Sequence, residues 1–121
     1  MNFKLLIAAV KPNVTDVIVD AAKAAGATGA TIITARGTGV REAKTFFGLS
    51  LETQIDVVLF VLFEDKVDTV LRAIVDDGKL CEPGVGIAFV LPLEQAAGLE
   101  SQIEKRLQGE RGQKIADTES H

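Results

Sequence analysis

An internal repeat constrains the fold more than any other feature of this sequence. In the first half, residues 3–10 form a short apolar run that predicts a buried strand, and apolar residues at helical spacing follow over residues 14–25. Residues 30–35 then predict a second strand, because they are rich in Ile and Thr. Asn13 or Thr15 is expected to cap the start of the helix, since both side chains can accept a hydrogen bond from the first turn.

The second half of the chain repeats this plan. Residues 55–63 and 86–91 predict strands, and an apolar stripe over residues 67–75 predicts a helix between them. Gly26 is expected to end the first helix and Gly78 the second, because glycine readily adopts the left-handed conformation found at helix ends. Two strand–helix–strand units in tandem predict an α+β fold of the ferredoxin-like type, with a βαββαβ order, an antiparallel sheet and both helices on one face.

The predicted third strand carries apolar residues at both parities. Val57, Leu59 and Val61 would point to one face of the sheet, and Val58 and Phe60 to the other. Strands that are apolar on both sides are buried on both sides, but two helices cover only one face. We therefore expect the open face to be covered by further copies of the chain in a closed ring.

The connection between the second and third strands is longer than a chain reversal requires. A hairpin needs about two to five residues, whereas residues 34–54 contain three glycines, several cations and two phenylalanines. A connection of this length in a small domain is typically functional. The expected organisation is one domain over residues 1–98, with this extended loop at about residues 40–54, followed by a helical and mobile polar tail over residues 99–121.

Composition excludes several classes of function. The net charge of −4, the pI near 5.0 and the lack of Trp and Tyr argue against nucleic-acid binding, which uses cationic grooves and aromatic stacking. The single cysteine, Cys81, cannot form an internal disulfide and fits a reducing cytoplasm. No apolar run reaches the roughly 18 residues of a membrane helix, and the N-terminal residues lack a signal-peptide pattern. These features predict a cytoplasmic location.

Two glycine pairs are the candidate ligand-binding elements. In the first pair, backbone amides around a hydroxyl residue can form a concave anion site to which neighbouring arginines add charge; its residues are Arg36, Gly37, Thr38, Gly39 and Arg41. The second pair, Gly84-Val85-Gly86, stands just before the last strand. Thr31 could add a hydroxyl group to the same cleft. The alternative for each pair is a pair of turn glycines beside a strand.

No constellation of catalytic or metal-binding residues is evident. No nucleophile stands beside a base at a catalytic spacing, and no Cys, His or Asp cluster has the spacing of metal ligands. The sequence therefore predicts a protein that is not an enzyme and that holds neither a metal nor a permanently bound cofactor.

Four segments of the chain resemble the PII signalling superfamily in their residues, their order and their spacing. They are Val10-Lys11-Pro12, residues 26–31, Arg36-Gly37-Thr38-Gly39 and residues 84–92, and the similarity extends over roughly residues 3–92. The resemblance implies a homotrimer of ferredoxin-like subunits that binds an adenine nucleotide in the clefts between subunits. It also implies a ligand-responsive T-loop that contacts a partner protein; the family suggests a membrane transporter for this role. The long connection would then be the T-loop.

The sequence departs from typical PII proteins at several functional positions. It has no Tyr for covalent modification in the loop, and the loop is shorter. Val40 and Ile87 stand where basic residues are typical, Leu59 replaces an acidic residue, and residues 92–98 lack the Arg-x-Arg pair. The glycines match but the triphosphate-binding charges do not. The resemblance therefore favours an effector with fewer phosphates than ATP, namely ADP, AMP or a cyclic nucleotide, and leaves open that nucleotide binding is lost.

The proposed output is a surface on the loop. Phe46, Phe47 and Leu49 would be exposed or hidden as the effector orders the loop, and these residues would contact the partner protein. The alternative is that they fold back on their own subunit. Other proteins of this fold class remain as rivals: a CutA-like trimer, an amino-acid-binding ACT-like module and a small acylphosphatase. For the acylphosphatase, Asn13 lies at the wrong end of a helix.

Overall fold

The computed structural model describes residues 2–37 and 53–98. A short 3-10 turn at Glu64–Lys66 leads into the second helix. The strands and helices, in chain order, are β1 (Phe3–Val10), α1 (Pro12–Ala24), β2 (Thr31–Gly37), β3 (Thr53–Phe63), α2 (Val67–Gly78) and β4 (Gly86–Pro92).

The four strands form one antiparallel sheet in the order β2-β3-β1-β4. β1 pairs with both β3 and β4, and β2 pairs only with β3, so β2 and β4 are the two edges. The helices α1 and α2 provide the crossovers from β1 to β2 and from β3 to β4. This order and the two tandem crossovers confirm the predicted ferredoxin-like α+β fold.

The hydrophobic core lies between the helices and one face of the sheet. Phe60, with no exposed surface, is among its largest fully buried side chains. The alternate positions of β1 and β3 supply the strand side of this core, and α1 and α2 supply the helix side. Its buried members are Leu6, Ala8, Val10, Ile18, Ala22, Ala27, Val58, Phe60, Leu62, Val70 and Ile74.

The opposite face of the sheet is apolar, and residues 2–37 and 53–98 leave it uncovered. Ile33, Ile87, Phe89 and Leu91 are each more than 40% exposed on it. The strand register puts them on the same face as Leu59 and the other odd-numbered residues of β1 and β3. The two-sided apolar character predicted for β3 is therefore confirmed.

The start of α1 differs from the prediction. Lys11 is the N-cap residue, Pro12 occupies the first helical position, and no side-chain cap hydrogen bond forms. Proline is well suited to this position because its φ is already helical and it lacks an N–H that would need a partner. Asn13 therefore lies within the first turn, and the Thr15 hydroxyl bonds to a strand residue. The prediction that either residue caps α1 was wrong.

The end of α1 is the predicted one. Gly26 has a φ of +119°. Its N–H donates to the carbonyl oxygen of Lys23 at 3.1 Å, and the N–H of Ala27 donates to the carbonyl oxygen of Ala22 at 2.9 Å. This pair of bonds is the Schellman pattern of helix termination. α2 ends with the same pattern, but Lys79 takes the left-handed conformation, with φ 56° and ψ 43°.

Gly78, which was predicted to stop α2, is its last helical residue and is buried. A Cβ at Gly78 would lie 2.6 Å from Ile18 Cγ2 and 2.7 Å from Leu80 Cδ1. The glycine is therefore explained by the close approach of α1 to α2 and not by the turn, whose left-handed residue is Lys79.

The connection between β2 and β3 is shorter than the sequence suggested. β2 continues to Gly37 and β3 begins at Thr53, so the strands take residues 34–37 and 53–54 from the long segment. The expected loop at about 40–54 thus ends two residues early at its C-terminal side. Residues 38–52 between the strands, and the tail over 99–121, lie outside the described residues.

Candidate functional site

The structure describes six of the nine predicted ligand-binding residues. Arg36 and Gly37 are the last two residues of β2, and Thr31 is its first. Gly84 and Val85 precede β4, and Gly86 begins it. The other predicted residues, three in the ligand site and three in the partner-binding loop, lie outside the described residues: Thr38, Gly39, Arg41, Phe46, Phe47 and Leu49.

The two glycine segments lie at the same end of the sheet. Gly86 is paired with Val10, Val10 with Asp56, and Asp56 with Thr34, so one cross-strand row runs from the start of β4 to the middle of β2. Gly37 lies three residues beyond this row, towards the same end of the sheet. However, β4 and β2 are opposite edges. Three strand spacings of about 4.8 Å separate them by roughly 14 Å, so in one chain they are too far apart to contact the same small anionic group.

The two glycines of the second pair differ in what surrounds them. A Cβ at Gly86 would lie 2.6 Å from the Ala9 carbonyl oxygen and 2.9 Å from Val10 Cα, so Gly86 is required by the close approach of β1. Gly84 has a φ of +78°, and among the described residues outside its own chain neighbours the only atom within 4 Å of its hypothetical Cβ is Lys11 Nζ. Gly84 is therefore the open glycine of the pair, and Gly86 is closed against the sheet.

The end of β2 is exposed at Arg36 and half-buried at Gly37. Arg36 is paired across the sheet with Gln54, and Gly37 with Thr53. A Cβ at Gly37 would lie 3.3 Å from the Cδ1 atom of Ile55, so a larger residue would require that flexible side chain to shift. Gly37 is therefore closely packed against Ile55, and the guanidinium group at this end of β2 belongs to the exposed Arg36.

Thr31 lies apart from both glycine segments within one chain. It is paired with Leu59, on the open face of the sheet. Six residues of strand separate it from Gly37, which corresponds to about 20 Å. Any cleft shared by Thr31 and the glycine segments would therefore include a neighbouring chain.

Two further polar contacts at this end of the sheet were not predicted. The Thr15 hydroxyl donates to the Asp56 carboxylate at 2.7 Å, linking the start of β3 to α1. The backbone N–H of Lys11 donates to the Val85 carbonyl oxygen at 3.1 Å, linking the start of α1 to the second glycine segment. The Lys11-Pro12 pair marked this position in the sequence, but the direction of the Lys11 side chain depends on tertiary structure.

Other features of the described residues add no site. Within residues 2–37 and 53–98, no group of three Cys, His, Asp or Glu residues could hold a metal ion. In the same ranges, none of the helices is long and apolar enough to cross a membrane. A shallow depression of about 340 Å³ follows the outer surface of α2, but residues of a single exposed helix cannot surround a ligand; its lining is Asp68, Thr69, Arg72, Ala73, Asp76 and Asp77.

Comparison with known proteins agrees with this geometry. The family model described as nitrogen regulatory protein P-II matches residues 3–102. The fold is similar to that of a solved structure described as Arabidopsis thaliana PII bound to citrate, with a TM-score of 0.62 and 25% sequence identity, covering 76% of this chain and 78% of that one. No significant match was found among curated proteins.

Proposed function

The chain belongs to the P-II nitrogen regulatory protein family, and from that premise we propose that it is a cytoplasmic signal-transduction protein. It binds a small effector between subunits of a homotrimer and regulates a partner protein; it is not an enzyme. The observation that carries this proposal is the position of the two glycine segments, which share one end of the sheet but lie at its opposite edges.

The apolar open face supports assembly into a trimer. Four strands expose apolar side chains there, including Ile87 at 62% and Phe89 at 42% exposure. Contiguous apolar surfaces of this kind are typical of protein–protein interfaces. A closed ring of three chains would turn these faces towards the common axis and remove them from water.

The same ring would complete the effector site. Placing the β2 edge of one copy beside the β4 edge of the next would bring the first glycine segment of one subunit towards the second segment of its neighbour. In this arrangement Gly37, Thr38, Gly39, Arg36 and Arg41 act from one chain. Gly84, Val85 and Gly86 act from the other, and Thr31 lines the base or ribose pocket.

The effector is a small anion, and we propose an adenine nucleotide: ADP, AMP, ATP or a cyclic nucleotide. Backbone amides of glycine segments suit phosphate oxygens, and an arginine adds a planar pair of donors. The Arabidopsis PII structure contains citrate, a carboxylate that presents similar oxygens. No permanently bound cofactor is part of this proposal.

Regulation would act through the connection between β2 and β3. The effector contacts one end of this connection, since Gly37 precedes it directly. A ligand that binds one loop conformation more tightly shifts the population towards that conformation. Phe46, Phe47 and Leu49 would then be presented to the partner protein; a membrane transporter is one candidate.

Thermal unfolding with a panel of ligands tests the proposed function. The panel is ATP, ADP, AMP, cyclic AMP and citrate. A ligand of the folded state at about a hundred times its Kd adds about 2.7 kcal/mol per site, which raises the unfolding midpoint by several degrees. We expect at least one adenine nucleotide to do so.

Two matched variants locate the site. Gly39→Glu places a carboxylate in the proposed anion site and should abolish the shift. Thr69→Glu adds the same carboxylate on the exposed outer surface of α2, away from the proposed site, and should retain the shift. Gly86→Glu is unsuitable, since it would disturb β1. If no nucleotide shifts the midpoint, the nucleotide proposal is rejected, and a shift with citrate alone would indicate a carboxylate effector.

A further inference from the structure

The second glycine segment has an ammonium group beside it that the sequence pattern did not predict. Lys11 follows β1 directly, and its backbone is fixed by the hydrogen bond from its N–H to the Val85 carbonyl oxygen. Its Nζ lies 3.8 Å from the position of a hypothetical Cβ on Gly84. The side chain therefore lies over the open glycine of the pair, on the side where the backbone leaves room.

This ammonium group has no carboxylate partner among the described residues. Lys4, which lies in β1, pairs instead with Glu64 at 4.0 Å. Glu82 is the carboxylate of the segment between α2 and β4, and Asp56 accepts the Thr15 hydroxyl; neither lies within ion-pair distance of Lys11 Nζ. An exposed lysine is ordinary, but one that lies unpaired against an open glycine is placed to receive an anion.

We propose that Lys11 is an oxyanion-binding residue of the effector site. This inference rests on the proposed function and deepens it, because it adds a cationic side chain to the backbone groups of the second glycine segment. The Lys11 ammonium would bind one phosphate or carboxylate group of the effector as it contacts Gly84. A lysine suits this role because its three donors rotate about a compact charge and require no fixed fork geometry.

The test is the calorimetric binding of ADP and of citrate to four forms of the protein. These are the wild type, Lys11→Gln, Lys11→Arg and Lys23→Gln. Lys23 lies in the last turn of α1, so its replacement removes one charge from the other end of the same helix. Unfolding midpoints without ligand show that each variant is folded.

We expect Lys11→Gln to weaken binding by about tenfold to a hundredfold, the range for a lost charged hydrogen bond. Lys23→Gln and Lys11→Arg should stay within about threefold of the wild type. A loss for ADP alone assigns a phosphate to Lys11, and a loss for citrate alone assigns a carboxylate.

Three different outcomes would overturn the inference. If Lys11→Gln binds the ligand with the same affinity as the wild type, the role of Lys11 is rejected while the proposed function stays intact. If the wild type binds neither ADP nor citrate, the same titrations use ATP, AMP and cyclic AMP, and absence of binding for all of them rejects the proposed effector class, and the role of Lys11 with it. An equal loss in Lys11→Gln and Lys23→Gln would also reject it, because a general charge effect would then be sufficient.

Discussion

At the scale of single residues, the glycines of the second segment have separate explanations. Gly86 faces the backbone of β1, where a Cβ would lie within 2.6 Å of the Ala9 carbonyl oxygen. Gly84 instead has a positive φ and open space around it. Glycine spacing in a sequence therefore does not distinguish a residue needed for strand packing from one that leaves room for a ligand.

We expect Gly86→Ala to lower the free energy of unfolding by about 1–3 kcal/mol, because the added methyl group meets backbone atoms that cannot rotate away. Gly29→Ala is the control, since no atom of the described residues beyond its chain neighbours lies within 4 Å of its hypothetical Cβ. It should be neutral, or stabilising by up to about 1 kcal/mol. Urea unfolding at one protein concentration measures both. Equal stability of the two variants would contradict this explanation of Gly86.

Lys79 is the one non-glycine residue with a positive φ in the described parts of the chain. We expect Lys79→Gly to stabilise the protein by about 0.5–1 kcal/mol, because glycine adopts the left-handed conformation without a Cβ clash. Lys79→Ala removes the same charge and keeps the Cβ, so it should give no gain. The two variants are compared by urea unfolding, and a gain in both would point to charge as the cause.

At the scale of elements, the Thr15–Asp56 hydrogen bond joins α1 to β3 across 41 residues of sequence. Thr15 is 4% exposed, and Asp56 is half-buried. We expect Thr15→Val to lower the free energy of unfolding by about 1–3 kcal/mol, because the carboxylate loses its donor in a partly desolvated place. A double-mutant cycle with Asp56→Ala checks the coupling, and a coupling energy near zero would show that the bond contributes nothing.

Elements were predictable from the sequence wherever local periodicity determines them. The two apolar faces of β3, both helical stripes and the terminal turn at Gly26 follow from residue spacing. Contacts between distant segments were not predictable: Gly78 is glycine because Ile18 approaches from α1, and the direction of Lys11 depends on the turn before β4. The first glycine segment was placed at the end of β2, but the loop beyond it lies outside the described residues.

At the scale of the whole molecule, the uncovered sheet face should determine the oligomeric state. Phe89 and Val17 are similarly exposed, at 42% and 44%, but Phe89 lies on the open sheet face and Val17 on α1. We expect Phe89→Glu to dissociate the trimer, because it would bury an unpaired carboxylate at the interface. Val17→Glu should leave it assembled. Sedimentation velocity measures both masses. Effector binding should be lost only with the proposed trimer, since each proposed site needs two chains. If Phe89→Glu remains a trimer, the open face is wrongly assigned as the interface. If Phe89→Glu is a monomer that still binds ADP at wild-type affinity, the shared site is wrongly assigned.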